Sequence, residues 1–215
     1  MNSIVKEKQY ISSVVGVPYE NLSQSYLQKA VALSTQSVIT FPVQAAQVAS
    51  PLVTDQLLNL NDEFVLTHYT VFLRSIASDS PSNTQLLNAL PYTYFDSNTF
   101  TGTNSVNVGA IYNGTLTFTI DRKDFIPAWP ARAFYRVPTT QTAANAYFAA
   151  SGIKTTNGFD NGLYGFYQTE PVKITGRQTL DISIDLGASV AMDDTSVTNY
   201  AVLELRGYLV VNAKN

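Results

Sequence analysis

The run Tyr200–Asn212, YAVLELRGYLVVN, constrains the fold more than any other stretch of this chain. Alternate residues of a strand point to opposite faces. Ala201, Leu203, Leu205, Gly207, Leu209 and Val211 then form one apolar row. Tyr200, Val202, Glu204, Arg206, Tyr208, Val210 and Asn212 form a mixed row. The pattern predicts a long strand with one face on a core and the other partly wet. Such a strand needs neighbours on both edges and a second layer over its apolar face. Leu180, Ile182, Ile184 and Leu186 alternate with Asp181, Ser183 and Asp185, and Leu116, Phe118 and Ile120 alternate with Thr115, Thr117, Thr119 and Asp121. These runs supply the partners. The expected fold is mainly β: an antiparallel, jelly-roll-like β-sandwich of about eight strands, with a partly open barrel as the alternative.

The chain has 215 residues, enough for one β domain with an extension. Only 13% of them are charged, while 13 Tyr and 11 Phe are present. Low charge with many aromatics suits a surface covered by neighbouring subunits, and it also suits an ordinary β-rich domain. The net charge of −3 gives no whole-chain attraction to nucleic acid, so direct nucleic-acid contact is not expected. There is no cysteine, hence no disulfide and no thiolate metal site. The first residues, MNSIVKEKQY, lack the apolar core of a signal peptide, and no run reaches membrane-span length.

Residues 1–60 differ in texture and are expected to form an N-terminal arm with short helices, leaving 61–215 as the sandwich. Leu22, Tyr26, Ala30 and Leu33 fall at helical spacing after Pro18. SVITFP reads as a short strand, and a second short helix is expected after Ser50, with Pro51 at its first position. EFVLTHYTVFLRSI, from Glu63, reads as a strand buried on both faces. DSPSN marks a turn and PYTYF a short extended piece. Val106–Tyr112 is expected to enter a strand, and Asn113-Gly114 to make a hairpin turn. Residues 122–138, with three prolines and the one tryptophan, read as a bent edge segment extended around Phe125 and Phe134. Thr139 or Thr140 is expected to cap a short helix through TAANAYFAAS, followed by a loop over Gly152–Gly162 and strands at YGFYQ and PVKITG.

No catalytic, cofactor-binding or metal-binding residues are assigned. His68 is the single histidine, expected mid-strand on the face of Leu66 and Thr70. It has no second His or Cys for a zinc site and no G-x-S-x-G elbow to complete a triad. Asp181 and Asp185 read as a solvated pair. Asp193 and Asp194 sit in a loop as a weak cation candidate without EF-hand spacing. No phosphate-binding glycine motif is present. The local concentration of Arg122, Lys123, Arg132 and Arg136 with Phe125, Trp129, Phe134 and Tyr135 reads as a protein contact in preference to a single-strand nucleic-acid grip. Trp129, Arg132, Phe134 and Arg136 are the candidate subunit-interface residues. Arg132, Phe134 and Arg136 would share one face of a strand.

The pieces YNGTLTFTIDRKDFIPAWPARAFYRVP, PVKITGRQTLDISIDLGASV and AVLELRGYLVVN resemble virion structural proteins of bacteriophages, in texture and segment order, over roughly residues 60–215. The resemblance implies a non-enzymatic, self-assembling capsid or capsid-associated subunit located in the virion. Its partners would be copies of itself and other virion proteins, with no small-molecule substrate, cofactor or membrane. A tail, ring or fibre-base subunit is the nearest alternative. A carbohydrate-binding sandwich, stacking sugar on Trp129 and exposed tyrosines, is the alternative from another class.

Overall fold

The terminal run forms β8 (Thr198–Val210), and the sheets are built around it. The computed structural model describes residues 3–96, 99–137 and 166–211. The helix expected through TAANAYFAAS, the loop at 152–162 and the start of YGFYQ lie outside them. Along one edge of β8 runs β1 (Ser23–Ala32), antiparallel from Ser23↔Leu209 to Ala32↔Tyr200. Along the other runs β3 (Glu63–Ile76), which carries β6 (Tyr167–Thr175) on its far side. The second sheet contains β2 (Thr35–Thr40), β7 (Leu180–Ala191), β4 (Thr115–Ile120) and β5 (Lys123–Pro130), in that order.

The two orders, β1-β8-β3-β6 and β2-β7-β4-β5, place strand 1 beside 8, 2 beside 7, 3 beside 6 and 4 beside 5. That nested pairing is the jelly roll, two packed antiparallel sheets of four strands. The core between them takes Leu203, Leu205 and Ala201 from β8, Phe64, Leu66, Val71 and Leu73 from β3, and Ile182, Ile184, Leu116 and Phe118 from the facing sheet. Gly207 interrupts the apolar row of β8 for a reason in β3. A register shift between Leu66 and His68 bulges β3 there, and a Cβ on Gly207 would lie 1.8 Å from the Val65 carbonyl oxygen.

The mixed row of β8 is drier than its sequence implies. At one end Tyr208 and Val210 are covered by α1 (Ser3–Val15) and the chain after it, through Ile11, Val17 and Leu22. At the other end Tyr200 and Val202 are covered by Leu86 of α2 (Asn83–Asn88) together with Leu52. Only Glu204 and Arg206 between them stay half-exposed. A row with two apolar residues at each end and charges in the middle therefore records two separate lids on one face.

Several sequence expectations are corrected. The expected arm over 1–60 is not an arm throughout, because residues 23–40 supply the whole of β1 and β2. Of Leu22, Tyr26, Ala30 and Leu33, expected at helical spacing, Tyr26 and Ala30 lie in β1 and Leu22 and Leu33 flank it: Leu27 and Val31 face the main core while Ala30 faces the outer cluster. The helix lies earlier, at Ser3–Val15. After Ser50 there is no helix; only the 3₁₀ turn Ala45–Gln47 precedes it. Ser105–Asn113 is 3₁₀-helical where Val106–Tyr112 was expected to enter a strand. Asn113-Gly114 is no hairpin turn. Gly114 is required because a Cβ would meet Ile184 Cγ2 at 2.6 Å and the Asp185 carbonyl oxygen at 2.8 Å. The tight hairpin is Asp121-Arg122, both at positive φ (49° and 65°), with Asp121 Oδ1 accepting from the Thr179 N–H at 2.9 Å.

The four outer strands are finished differently. The free side of β1 is capped by Gln56, which exchanges backbone bonds with Gln28, and by Asp55. Asp55 accepts from the Ala30 and Leu52 N–H groups at 3.0 Å and from Lys29 Nζ at 2.6 Å. The Asp55 side chain is fully buried in this ion pair, with its oxygens satisfied by three donors, as burial of a charge requires. Strand β6 carries Pro171 between Glu170 and Lys173; β5 carries Pro127 and Pro130 with Lys123 and Asp124. Prolines and charges of this kind are the usual protection of a sheet edge. Strand β2, TQSVIT, has neither.

Aromatic rings fill the end of the sandwich near β4 and β6. Burial pushes the Tyr69 hydroxyl up to about 12, and that of Tyr112, which donates to the Tyr92 carbonyl, further still. A raised tyrosine pKa stabilises the fold below the unfolded value, near 10, and that contribution is lost as pH rises through the folded value. The melting temperature is therefore expected to hold up to about pH 10 and to fall between pH 10 and about 12. Tyr69→Phe should make that fall shallower; an identical alkaline profile in the variant excludes Tyr69 as its source.

Candidate functional site

Strand β5 ends at Pro130, and its place in the sequence decides what the following residues do. Ala131–Phe134 turns into a 3₁₀ helix, and the Ala131 N–H donates to the Gly114 carbonyl at 2.9 Å. The expected strand face of Arg132, Phe134 and Arg136 therefore does not exist. Phe134 is completely buried in the chain's own core, edge-on to Tyr69 (5.7 Å between ring centres) and Tyr167 (5.5 Å). Phe134 is thus corrected from contact residue to core residue. Trp129, paired with Leu116 across β4, is half-buried and edge-on to Tyr167 at 5.3 Å. Its indole Nε1 is buried without a hydrogen-bond partner among the described residues.

The two arginines part company. Arg132 is exposed, and its guanidinium reaches Asn113 Oδ1 at 3.3 Å. Arg136 is half-buried. Its N–H donates to the Thr93 carbonyl at 2.8 Å, its carbonyl accepts from Thr93 Oγ1 at 2.6 Å, and its guanidinium donates to Tyr167 Oη at 3.0 Å. Arg136 thus ties the segment to the chain near Thr93 and to β6. What the turn presents outward is Arg132 with Tyr135 and Val137, 37% and 47% exposed. The sequence singles out Tyr135 only within the aromatic-basic concentration and Val137 not at all; neither is among the candidate interface residues. Strand alternation assigned Tyr135 to a face turned away, and only the Pro130 stop signalled that alternation fails here.

The bulge in β3 also moves His68. Leu66 faces the core, whereas His68 lies on the outer face beside Arg206 and Gln168, sharing with Thr70 alone the face first expected for all three. A groove of about 350 Å³ opens there between α1 and β6, lined by Glu7, Tyr10, His68, Gln168 and Glu170. Burial lowers the His68 pKa, with Glu7 opposing and Arg206 adding, so the imidazole is neutral at neutral pH. Its Nδ1 lies 3.0 Å from Thr67 Oγ1. The Thr67 hydroxyl in turn donates to the Arg206 carbonyl at 3.2 Å.

Three of the four acidic candidates are held by the chain's own hydrogen-bond donors. Asp181 and Asp185 are exposed, and Asp185 accepts from the Gly187 N–H at 2.8 Å. Asp193 accepts from Thr35 Oγ1 at 2.9 Å. Asp194 is held below the usual carboxylate range by the Ser196 N–H and hydroxyl and by the Thr103 and Asn104 N–H groups. Both therefore fasten the β7–β8 connection. Among the described residues, no three His, Cys, Asp or Glu side chains gather into a metal-binding group, and no helix is long and apolar enough to cross a membrane. No protein-family model matches the chain, and no curated protein matches it in sequence.

Proposed function

We propose that the chain is a non-enzymatic structural subunit of a bacteriophage virion, a capsid or capsid-associated protein that works by self-assembly. The observation that carries this reading is the nested 1·8, 2·7, 3·6, 4·5 pairing, the architecture that viral capsid domains share with lectin domains and cupins. A fold of this kind hosts several functions, so the surface must choose among them. The surface has few charges and leaves Ile4, Tyr10, Val14, Leu87, Leu90 and Val106 each more than 40% exposed, at separate places along the chain. Dispersed apolar contacts suit a subunit met by several neighbours better than a module with one sugar cleft. The partners on this reading are copies of the chain and other virion proteins, with Arg132, Tyr135 and Val137 at one contact.

Light scattering on the purified chain, followed by negative-stain microscopy, tests this. Symmetric oligomers or shells are expected, and Arg132→Ala is expected to weaken association without moving the melting temperature. Rings in place of shells assign the tail or fibre-base alternative. A clean monomer that binds an oligosaccharide through Trp129 overturns the virion reading. Salt-dependent single-stranded DNA binding that Arg132→Ala abolishes, with oligomer size unchanged, assigns the turn to the genome.

A further inference from the structure

Resting on the self-assembly reading, we infer that the free edge of β2 is where two copies of this chain join, strand to strand about a two-fold axis, into one continuous eight-stranded sheet. Three of the four outer strands carry a device against such pairing: the Asp55–Gln56 cap on β1, Pro171 and its flanking charges on β6, and Pro127 and Pro130 on β5. Strand β2 carries no such device. It has no proline and no charge, and its residues are Thr, Gln, Ser, Val and Ile, the composition from which strand self-pairing is built.

The hydrogen-bond phase of β2 is fixed by the Phe41 N–H, which donates to the Ile182 carbonyl in β7 at 2.8 Å. Backbone groups alternate in direction along an antiparallel strand, so Ile39 also bonds towards β7, while Val38 and Thr40 turn N–H and C=O away from it. Both residues are exposed, and among the described residues β2 is an edge strand whose one paired neighbour is β7. The occupant is argued from this phase and from charge. An antiparallel copy centred on Ile39 sets Val38 opposite the partner's Thr40 and Thr40 opposite the partner's Val38. Two complete pairs and four backbone hydrogen bonds result. No like charges meet, because the strand has none. The 45% exposed Val38 gains the partner's Thr40 side chain as a cross-strand neighbour, and the completely buried Ile39 of each copy stays on the core side. The bulge between Gln36 and Val38 ends the usable ladder and fixes its register. The joint is short, so it is weak alone and acts together with the other contacts of an assembly.

The absence of cysteine makes the test direct. Val38→Cys and Thr40→Cys are made separately in the full chain and oxidised mildly, alone and mixed. The mixture is expected to form disulfide-linked dimers about tenfold faster than either variant alone, since only it places the two thiols opposite each other. In the otherwise unchanged chain, Val38→Pro removes an outward N–H, and Val38→Lys adds an edge charge while keeping that N–H. Either is expected to weaken association about tenfold or more, with the melting temperature unchanged, through loss of the inter-copy bonds. If the unaltered chain assembles but the mixture shows no advantage and both substitutions leave assembly intact, this joint is wrong and the virion reading stands. If the unaltered chain stays monomeric at high concentration and the mixture of cysteine variants does not cross-link, both fail.

Discussion

Removal of residues 1–35 is expected to leave no folded protein. The deletion takes away β1, and with it the partner along one whole edge of β8. It also takes Ile11, Val17, Leu22, Leu27 and Leu33, all buried. At about 2 kcal/mol for each such side chain, the loss is on the order of 10 kcal/mol, as large as the total stability of an ordinary domain. Removal of residues 1–15 is a milder cut. It uncovers Val65, Tyr208 and Val210 but leaves every strand in place, so a folded protein with a lower melting temperature is expected. Circular dichroism melts of the two truncations decide the matter. A cooperative melt from the longer deletion overturns the assignment of β1 to the sandwich.

The second large effect is expected from Leu205→Asp. Leu205 is 1% exposed and sits on the core face of β8, opposite Leu27 in β1 and Tyr69 in β3. A carboxylate there is placed among apolar side chains and cannot reach water from the middle of a central strand. The expected cost is above about 4 kcal/mol, enough to give insoluble or unfolded protein. Glu204→Ala, one residue earlier on the half-exposed outer row, is the control and should express and melt close to the parent. Soluble Leu205→Asp with an unchanged melt reverses the faces of β8.

The strands with clean two-residue periods, β4, β7 and β8, were legible in the sequence, and with them the class of fold. What failed were elements whose pattern carries two meanings. In β1, Leu27 and Val31 belong to one cluster and Ala30 to another, so its apolar residues mimic a helical stripe. In α1 only Ile11 is fully buried; Val5, Lys8, Ser12 and Val15 are half-buried, and the apolar Ile4, Tyr10 and Val14 stay outside, which blurs the stripe a helix would show. His68 and Phe134 were misplaced for one shared reason. A bulge and a 3₁₀ turn each shift the phase of alternation, and neither leaves a mark beyond a nearby proline or glycine. The candidate contact was legible as a segment, through Trp129 and the arginines. Which of its side chains face outward depended on that phase.

The nested pairing also sets an order of events during synthesis. Strand β8 lies between β1 and β3, yet it follows both in the chain, by more than a hundred residues in each case. Until it has emerged, the two strands that flank it cannot meet it, and the first sheet stays open along its middle. Its neighbour β7 does the same in the second sheet, between β2 and β4. The nascent chain therefore holds apolar strands such as FVLTHYTVFL unpaired for most of its growth, and its closing contacts span nearly its whole length. Folding limited by such distant contacts is slow and exposes strand edges to other chains. A ribosome-bound intermediate lacking β8 is expected to be the species a chaperone holds.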